Sequence, residues 1–243
     1  MLSDLPICRR AGRSTPDLVV SQQMSKPLVI IGNGQIAELC CSLFTRTTDY
    51  GVAGFAVDRD LIKADSLLGL PVVPLGEVES RFPPQSVHAF VAIGPGRNNA
   101  VRAAKFLEMR QKGYRFANYI SPHAVVSPDA QIGENVAIGH LSVVSPWARI
   151  GDNVAIGASC NIGHHCRIES HAFLPVHVVV AGSVVIGERA FVGTGATIRD
   201  NVTIGAGSVI GAGATILGDV EPNAVYVVER AKKLAITADQ VRL

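Results

Sequence analysis

Four of the seven histidines in this 243-residue chain, His164, His165, His171 and His177, fall within fourteen residues of one another. An unperturbed imidazole titrates near neutrality and can serve as general base, general acid or metal ligand, so this cluster is the first place to look for chemistry. Nothing marks a serine or cysteine as a nucleophile with a paired base. The cysteines, Cys8, Cys40, Cys41, Cys160 and Cys166, contain no C-x-x-C pair and are odd in number. That pattern fits a reducing cytoplasm better than a disulfide framework. A second constellation lies near the amino terminus, where the apolar run Leu28-Val29-Ile30-Ile31 leads into Gly32-Asn33-Gly34-Gln35-Ile36-Ala37. A glycine-rich turn between strand and helix lets backbone N–H groups face an anion, although the same G-x-G-x-x-A also occurs as a plain tight turn. Asp58 and Arg59 follow a second apolar run and Gly94 a third, so a ligand bound over Gly32, Asn33 and Gly34 would meet them. Asp58 is placed to accept hydrogen bonds from a ribose or a base.

The elements that must position these residues are legible from an internal repeat. From Val126 to Ile216 an aliphatic residue recurs every six positions without a slip, sixteen times, and four residues after each stands Ala, Val, Ser or Cys. Six matches neither the alternation of a long strand nor the 3.6 of a helix, and it fits a hexapeptide β-helix with the aliphatic and the small residue facing inward. Cys160 and Cys166 take the small inward places and are expected to be packing residues. Gly follows the aliphatic residue in nine of the sixteen units, as expected where the turning chain leaves no room for a side chain. The pattern resembles the left-handed parallel β-helix of hexapeptide-repeat acyltransferases, in which three units make one triangular coil. A little over five coils, roughly 25 Å tall, are then expected over residues 126–221.

Residues 27–118 read as a small Rossmann-like α/β domain. Strands at 28–31, 52–57 and 89–93 alternate with helical stretches at about 38–46 and 98–112. The domain is short for a dinucleotide, so a mononucleotide moiety fits it better. The fold class expected is therefore α/β plus β: a tail at 1–26, the Rossmann-like domain at 27–118, a left-handed β-helix at 119–233 and a tail at 234–243. Met24 is a candidate natural start, and residues 1–23 are expected to carry no chemistry. The formal net charge of +2, without clustered Lys, Arg and aromatics, leaves little footprint for nucleic acid. No stretch approaches the roughly 18 apolar residues of a membrane span.

Register sharpens the site. His164 and His165 occupy the third and fourth places of the unit at Ile162, away from the inward places, and Gly182 lies one 18-residue coil above His164. A base beneath an unobstructed backbone N–H is what acyl transfer needs, the imidazole taking a proton from the attacking group while the N–H stabilises the oxyanion. Asn161, beside Ile162, and His177 are candidates for substrate contact, while His171 ranks lower. His88, His123 and His140 read as structural or surface residues. A zinc site wants three convergent imidazoles, and two coils above His140 falls on Val176, one place short of His177, so no metal is expected.

A nucleotide-binding α/β domain followed by an uninterrupted hexapeptide β-helix resembles the bacterial sugar acetyltransferases of the PglD/NeuD type. Ile162-Gly163-His164-His165-Cys166, Val180-Ala181-Gly182 and Gly193-Thr194-Gly195-Ala196-Thr197-Ile198 carry the same similarity. The resemblance implies a nucleotide-linked amino sugar in the first domain, His164 as general base, and acetyl-CoA along the prism between the subunits of a cytoplasmic homotrimer. It puts the Gly182 amide at the acetyl carbonyl and Gly193, Gly195 and Lys232 at the coenzyme. Where the family often carries a carboxylate after the base this chain has His165, a second histidine of some members falls at Phe173, and the usual Gly-x-Pro-Ala-Lys reads Val228-Glu229-Arg230-Ala231-Lys232. The activity implied is N-acetylation for surface-polysaccharide or glycan synthesis. Sugar or sialic acid O-acetylation and a non-catalytic trimeric binding protein are the alternatives.

Overall fold

The computed structural model describes residues 26–229 together with 231 and 235. Lys232 and Cys8, named above, lie outside the described residues. The chain opens with β1 (Lys26–Ile31), α1 (Gln35–Thr47) and β2 (Tyr50–Val57), continues through β3 (Ser66–Leu67), β4 (Leu70–Pro74) and the short α2 (Val78–Arg81), and reaches β5 (His88–Val91) and α3 (Ala100–Gln111). The sheet order is β3-β4-β2-β1-β5, parallel except for the β3–β4 hairpin. Both faces of its central strands are buried, which is why β1 and β5 read as continuous apolar runs. Phe44 of α1 closes one face against Phe90, and Phe106 of α3 closes the other. Five strands stand where the sequence suggested three, because β3 is only two residues long and β4 carries Pro71 and Pro74 and lacks an alternating pattern.

From Tyr119–Ile120 to Val225–Tyr226 the chain is a three-sided β-helix with sheets of six, five and seven two-residue strands. Cross-strand partners are 18 residues apart, Val143 with Asn161 and Val144 with Ile162, so three hexapeptide units make one coil. The inward column of aliphatics forms one buried core that includes Ile138, Ile156, Leu174, Val192 and Ile210 along one sheet. Cys160 and Cys166 lie in this core with their thiols donating to the carbonyls of Pro175 and Ala181. Burial pushes both thiols above their ordinary pKa, which agrees with a packing role. The glycines after the inward aliphatics do not turn the chain. A Cβ on Gly163 would stand 2.6 Å from the backbone carbon of Ala181 in the next coil, so they are required by close approach between coils. The left-handed turn falls two places later, at Asn135, Trp147, Asn153, His165, His171 and His177 among others, all with φ between 54° and 66°.

The α/β domain docks on one edge of the prism through a column of those turn residues. Asn135 accepts from the Val91 amide at 2.7 Å and donates to Asn153 Oδ1 at 2.8 Å, and Asn153 in turn donates to His171 Nδ1 at 2.9 Å. Arg102 of α3, buried, donates into the same column to the carbonyl oxygens of Asn153, His171 and Ala172. Arg110 at the far end of α3 pairs with Glu134 and Asp152. Burial raises the Asp152 carboxyl, but its bonds from Arg110 and the Glu134 amide outweigh burial and hold it below its ordinary value.

His171 thus belongs to the junction. Burial, then the Arg102 charge, pushes its pKa below the usual histidine value against the opposing pull of Glu188 and Asp152. A histidine held neutral in the fold is protonated first in the unfolded chain, so stability should decline as pH falls from about 6.5 toward the folded pKa. Denaturant unfolding at pH 7.5 and 5.5 should show this decline in the native chain and a smaller one in His171→Gln. Replacing Arg102 by Ala orphans the buried carbonyls of Asn153 and His171, while Ala172 keeps its bond from the Ala155 amide, and we expect a loss of about 3 kcal/mol in the same assay at pH 7.5.

Candidate active site

His164 and His165 sit on a second edge of the prism, where the hexapeptide repeat turns outward and both side chains are exposed. The left-handed turn at His165, fixed by its amide donating to the Pro146 carbonyl, points the two rings in different directions. Their planes lie at 86° and their Nδ1 atoms are 3.1 Å apart. His165 also lies over Trp147, one coil below, with ring centroids 4.7 Å apart and planes 35° from parallel. Above His164 stands Gly182. A Cβ there would fall 2.6 Å from His164 Cε1 and 2.7 Å from Nε2, so the imidazole fills the space that a side chain would occupy.

Nε2 of His164 lies against Gly182 and Nδ1 faces His165 Nδ1, a contact in which either ring can be the donor. The tautomer with the proton on His164 Nδ1, donated to His165, leaves the Nε2 lone pair free, with an imidazole in the place that a carboxylate takes beside many catalytic imidazoles. The Gly182 N–H donates to no acceptor among the described residues and lies beside the His164 imidazole, where an oxyanion could use it. Asn161 lies on the strand leading into this edge, exposed between Val143 and Val179. His177 and Gly195 stack on the third edge, with the Gly195 amide donating to the Val176 carbonyl, and Gly193 lies two residues earlier. Within one chain, then, His177, Gly193 and Gly195 are not brought to His164.

The glycine-rich turn of the α/β domain opens on a separate cavity of about 340 Å³ lined by Gly32, Asn33, Gly34, Asp58 and Gly94. Gly32 has φ +127°, and a Cβ on it would stand 2.7 Å from the Ala92 carbonyl oxygen, so the close crossing of β1 and β5 requires glycine here. The first turn of α1 faces the cavity and supplies unpaired N–H groups. Asn33 donates to the Leu61 carbonyl at 2.8 Å and pins the loop after β2 over the cavity. Arg59 does not line the cavity, since its side chain turns away to pair with Glu77.

Sequence reasoning missed Lys105, whose ammonium lies 2.6 Å from Asp58 and 3.0 Å from Glu108 at the cavity wall. Burial lowers the lysine pKa, but the bonds to both carboxylates outweigh it and raise the value overall. The signal was present in a basic residue of α3 that faces the end of β2. Trp147 was missed too, though its 18-residue spacing from His165 places it directly below. Among the described residues no group of three or more His, Cys, Asp or Glu could hold a metal ion, and no helix is long and apolar enough to cross a membrane.

Two family models match the prism: bacterial transferase hexapeptide (six repeats) over residues 183–218, and hexapeptide repeat of succinyl-transferase over residues 148–170. No curated protein matches the sequence. Among solved structures the chain is similar to a perosamine N-acetyltransferase from Caulobacter crescentus, in complex with CoA and GDP-perosamine. That match has 32% identity and a TM-score of 0.73, and covers 82% of this chain and 92% of that one. It is also similar to the acetyltransferase domain of PglB from Neisseria gonorrhoeae, with 27% identity, a TM-score of 0.74, and coverage of 83% and 96%. WeeI from Acinetobacter baumannii shares the fold at 20% identity, with a TM-score of 0.69 and coverage of 82% and 94%.

Removing a general base from its transition state typically costs about two to four orders of magnitude in rate. His164→Ala should therefore lower acyl-transfer turnover by about that factor, with the unfolding midpoint unchanged. His165→Ala should lower it by about 10- to 100-fold by releasing the tautomer, and His165→Glu should recover most of the loss. Steady-state kinetics of the three variants checks both effects.

Proposed function

The chain belongs to the hexapeptide-repeat sugar acetyltransferases of the PglD/NeuD type, and we propose that it carries an acetyl group from acetyl-CoA to the amino group of a nucleotide-linked amino sugar. The observation that carries this reading is the His164 ring seated against the bare backbone of Gly182 with its Nδ1 committed to His165. His164 Nε2 takes the proton as the amine attacks the thioester carbon. The Gly182 N–H steadies the carbonyl oxygen as it becomes negative, and the tetrahedral intermediate collapses with departure of CoA as its thiolate. No acyl-enzyme is required, because the thiols nearest the edge are buried and bonded to carbonyls.

The nucleotide is assigned to the cavity over Gly32, Asn33, Gly34 and Gly94, with its phosphates toward the start of α1 and its ribose or base toward Asp58. We assign this binding role to residues 27–118 and acyl transfer to residues 119–233. The finer reading is a cytoplasmic homotrimer with acetyl-CoA between prisms, where His177 of one subunit would approach His164 of the next and Gly193 and Gly195 would contact the coenzyme. Support for assembly comes from the exposed Val125 and Val179 on one prism face and Leu141 on the adjoining edge. In the cell the product would enter surface-polysaccharide or glycan synthesis.

The test is thiol release from acetyl-CoA, with mass spectrometry of products, against UDP-, GDP- and dTDP-linked amino sugars and their hydroxyl counterparts. Acetylation confined to amino sugars is the expected outcome and names the nucleotide. Acetylation of the hydroxyl counterparts instead would replace this reading with O-acetylation, and thiol release with none of them would overturn it.

A further inference from the structure

The prism face between the His164 edge and the domain junction carries two arginines side by side. Arg149 and Arg167 are cross-strand partners, with Ile150 and Ile168 directed into the core and both arginines outward. Strands about 4.8 Å apart hold like charges opposite each other, an arrangement that destabilises a sheet unless an anion lies between them. Glu169 answers Arg167 alone, through Nε at 2.8 Å, and no other carboxylate among the described residues pairs with Arg167. Arg149 makes no salt bridge among those residues.

Both arginines line a cavity of about 400 Å³ whose wall is Trp147 and His165, with Asp129 and Gln131 at its lower end. The cavity continues into an open groove over the same two arginines. Trp147 is 57% exposed there. His165, the other ring of the wall, holds His164 Nδ1, so whatever fills this cavity ends one side chain from the base.

We propose that Arg149 and Arg167 bind a phosphate group of one of the two substrates, and that the adjoining part of that substrate lies against Trp147 and His165. A guanidinium presents parallel N–H donors that match two oxygens of a phosphate, and two guanidiniums on neighbouring strands match the span of a diphosphate. Glu169 keeps Arg167 extended toward the cavity, and Asp129 repels the anion from the lower end, toward His164. The inference rests on His164 as the base of a transfer whose substrates carry phosphate. Two sources share this chemistry: the phosphates of CoA, and the diphosphate of the nucleotide-linked acceptor, which would then lie here and not at the start of α1.

Trp147 is the only tryptophan in the chain, so its fluorescence reports this cavity independently of turnover. The full chain would be titrated with inorganic pyrophosphate, UDP, GDP, CoA and 3′-dephospho-CoA, beside Arg149→Gln and Arg167→Gln variants. Circular dichroism and the unfolding midpoint of each variant check that its fold is kept. The expected result is a saturable change with pyrophosphate and with at least one substrate-derived ligand, its apparent Kd weakened at least tenfold in each variant. A response to UDP or GDP without one to CoA assigns the site to the acceptor. A response to CoA assigns it to the donor, and its loss with 3′-dephospho-CoA identifies the 3′-phosphate. No saturable change with any ligand, or unchanged Kd in both variants, overturns the site. Because binding is the readout, such a failure is distinct from an absence of thiol release, which would count against the transfer reaction.

Discussion

The prism depends on one constraint: each coil donates its backbone hydrogen bonds to the coil 18 residues away, at a separation that leaves no room for a side chain between them. From that ladder the rest follows. One position in six must be aliphatic to fill the interior, another must be small, and a third takes the left-handed turn. The positions left for chemistry are the turn edges and the outward side chains of the two-residue strands. A residue on an edge is held by backbone bonds above and below it, so His164 and Gly182 sit in register without side-chain contacts to align them. Such rigidity suits general base catalysis, where small displacements of the base are costly.

The three edges have different occupations. One carries His164, His165 and Trp147. Another is covered by the α/β domain, whose Arg102 enters a column of Asn153 and His171 and satisfies carbonyls that would otherwise be buried unpaired. The third carries His177 beneath Gly195, with the exposed Leu141 further down. The same left-handed turn therefore orients the His164–His165 pair on one edge and a docking contact on the next. What distinguishes them is the side chain at the fourth place of the unit: His165 shares a bond with another imidazole, whereas His171 accepts one from an amide under a buried guanidinium.

Much of this was legible in the sequence because a hexapeptide repeat without insertions is a ruler. Counting by 18 places Gly182 over His164 before any coordinates exist, and the same count reaches Trp147 below His165 and Arg167 above Arg149. The junction was not legible. Nothing in the repeat marks which edge a neighbouring domain covers, and Asn135, Asn153 and His171 read as ordinary turn residues until α3 lies against them. Arg59 looked equivalent to Asp58 in sequence, yet the 3₁₀ turn over Arg59–Leu61 leaves Asp58 at the cavity and directs Arg59 to Glu77. β3 and β4 escaped notice because β3 has two residues and β4 carries two prolines, and their place in the sheet comes from β4 pairing with β2 and β3 with β4.

The central claim is that the His164 ring, held against an unsubstituted backbone at Gly182, is the base. Gly182→Ala tests it most directly. The three atoms nearest the added methyl all belong to the movable His164 ring, so it displaces the ring while the coils keep their spacing. The measurement is the single-turnover rate of acetyl transfer from acetyl-CoA by this variant, with its unfolding midpoint taken alongside. The account expects a rate at least about 100-fold below the native chain with the midpoint essentially unchanged. A native rate in a folded Gly182→Ala protein would contradict it, since the ring could then leave its seat without consequence.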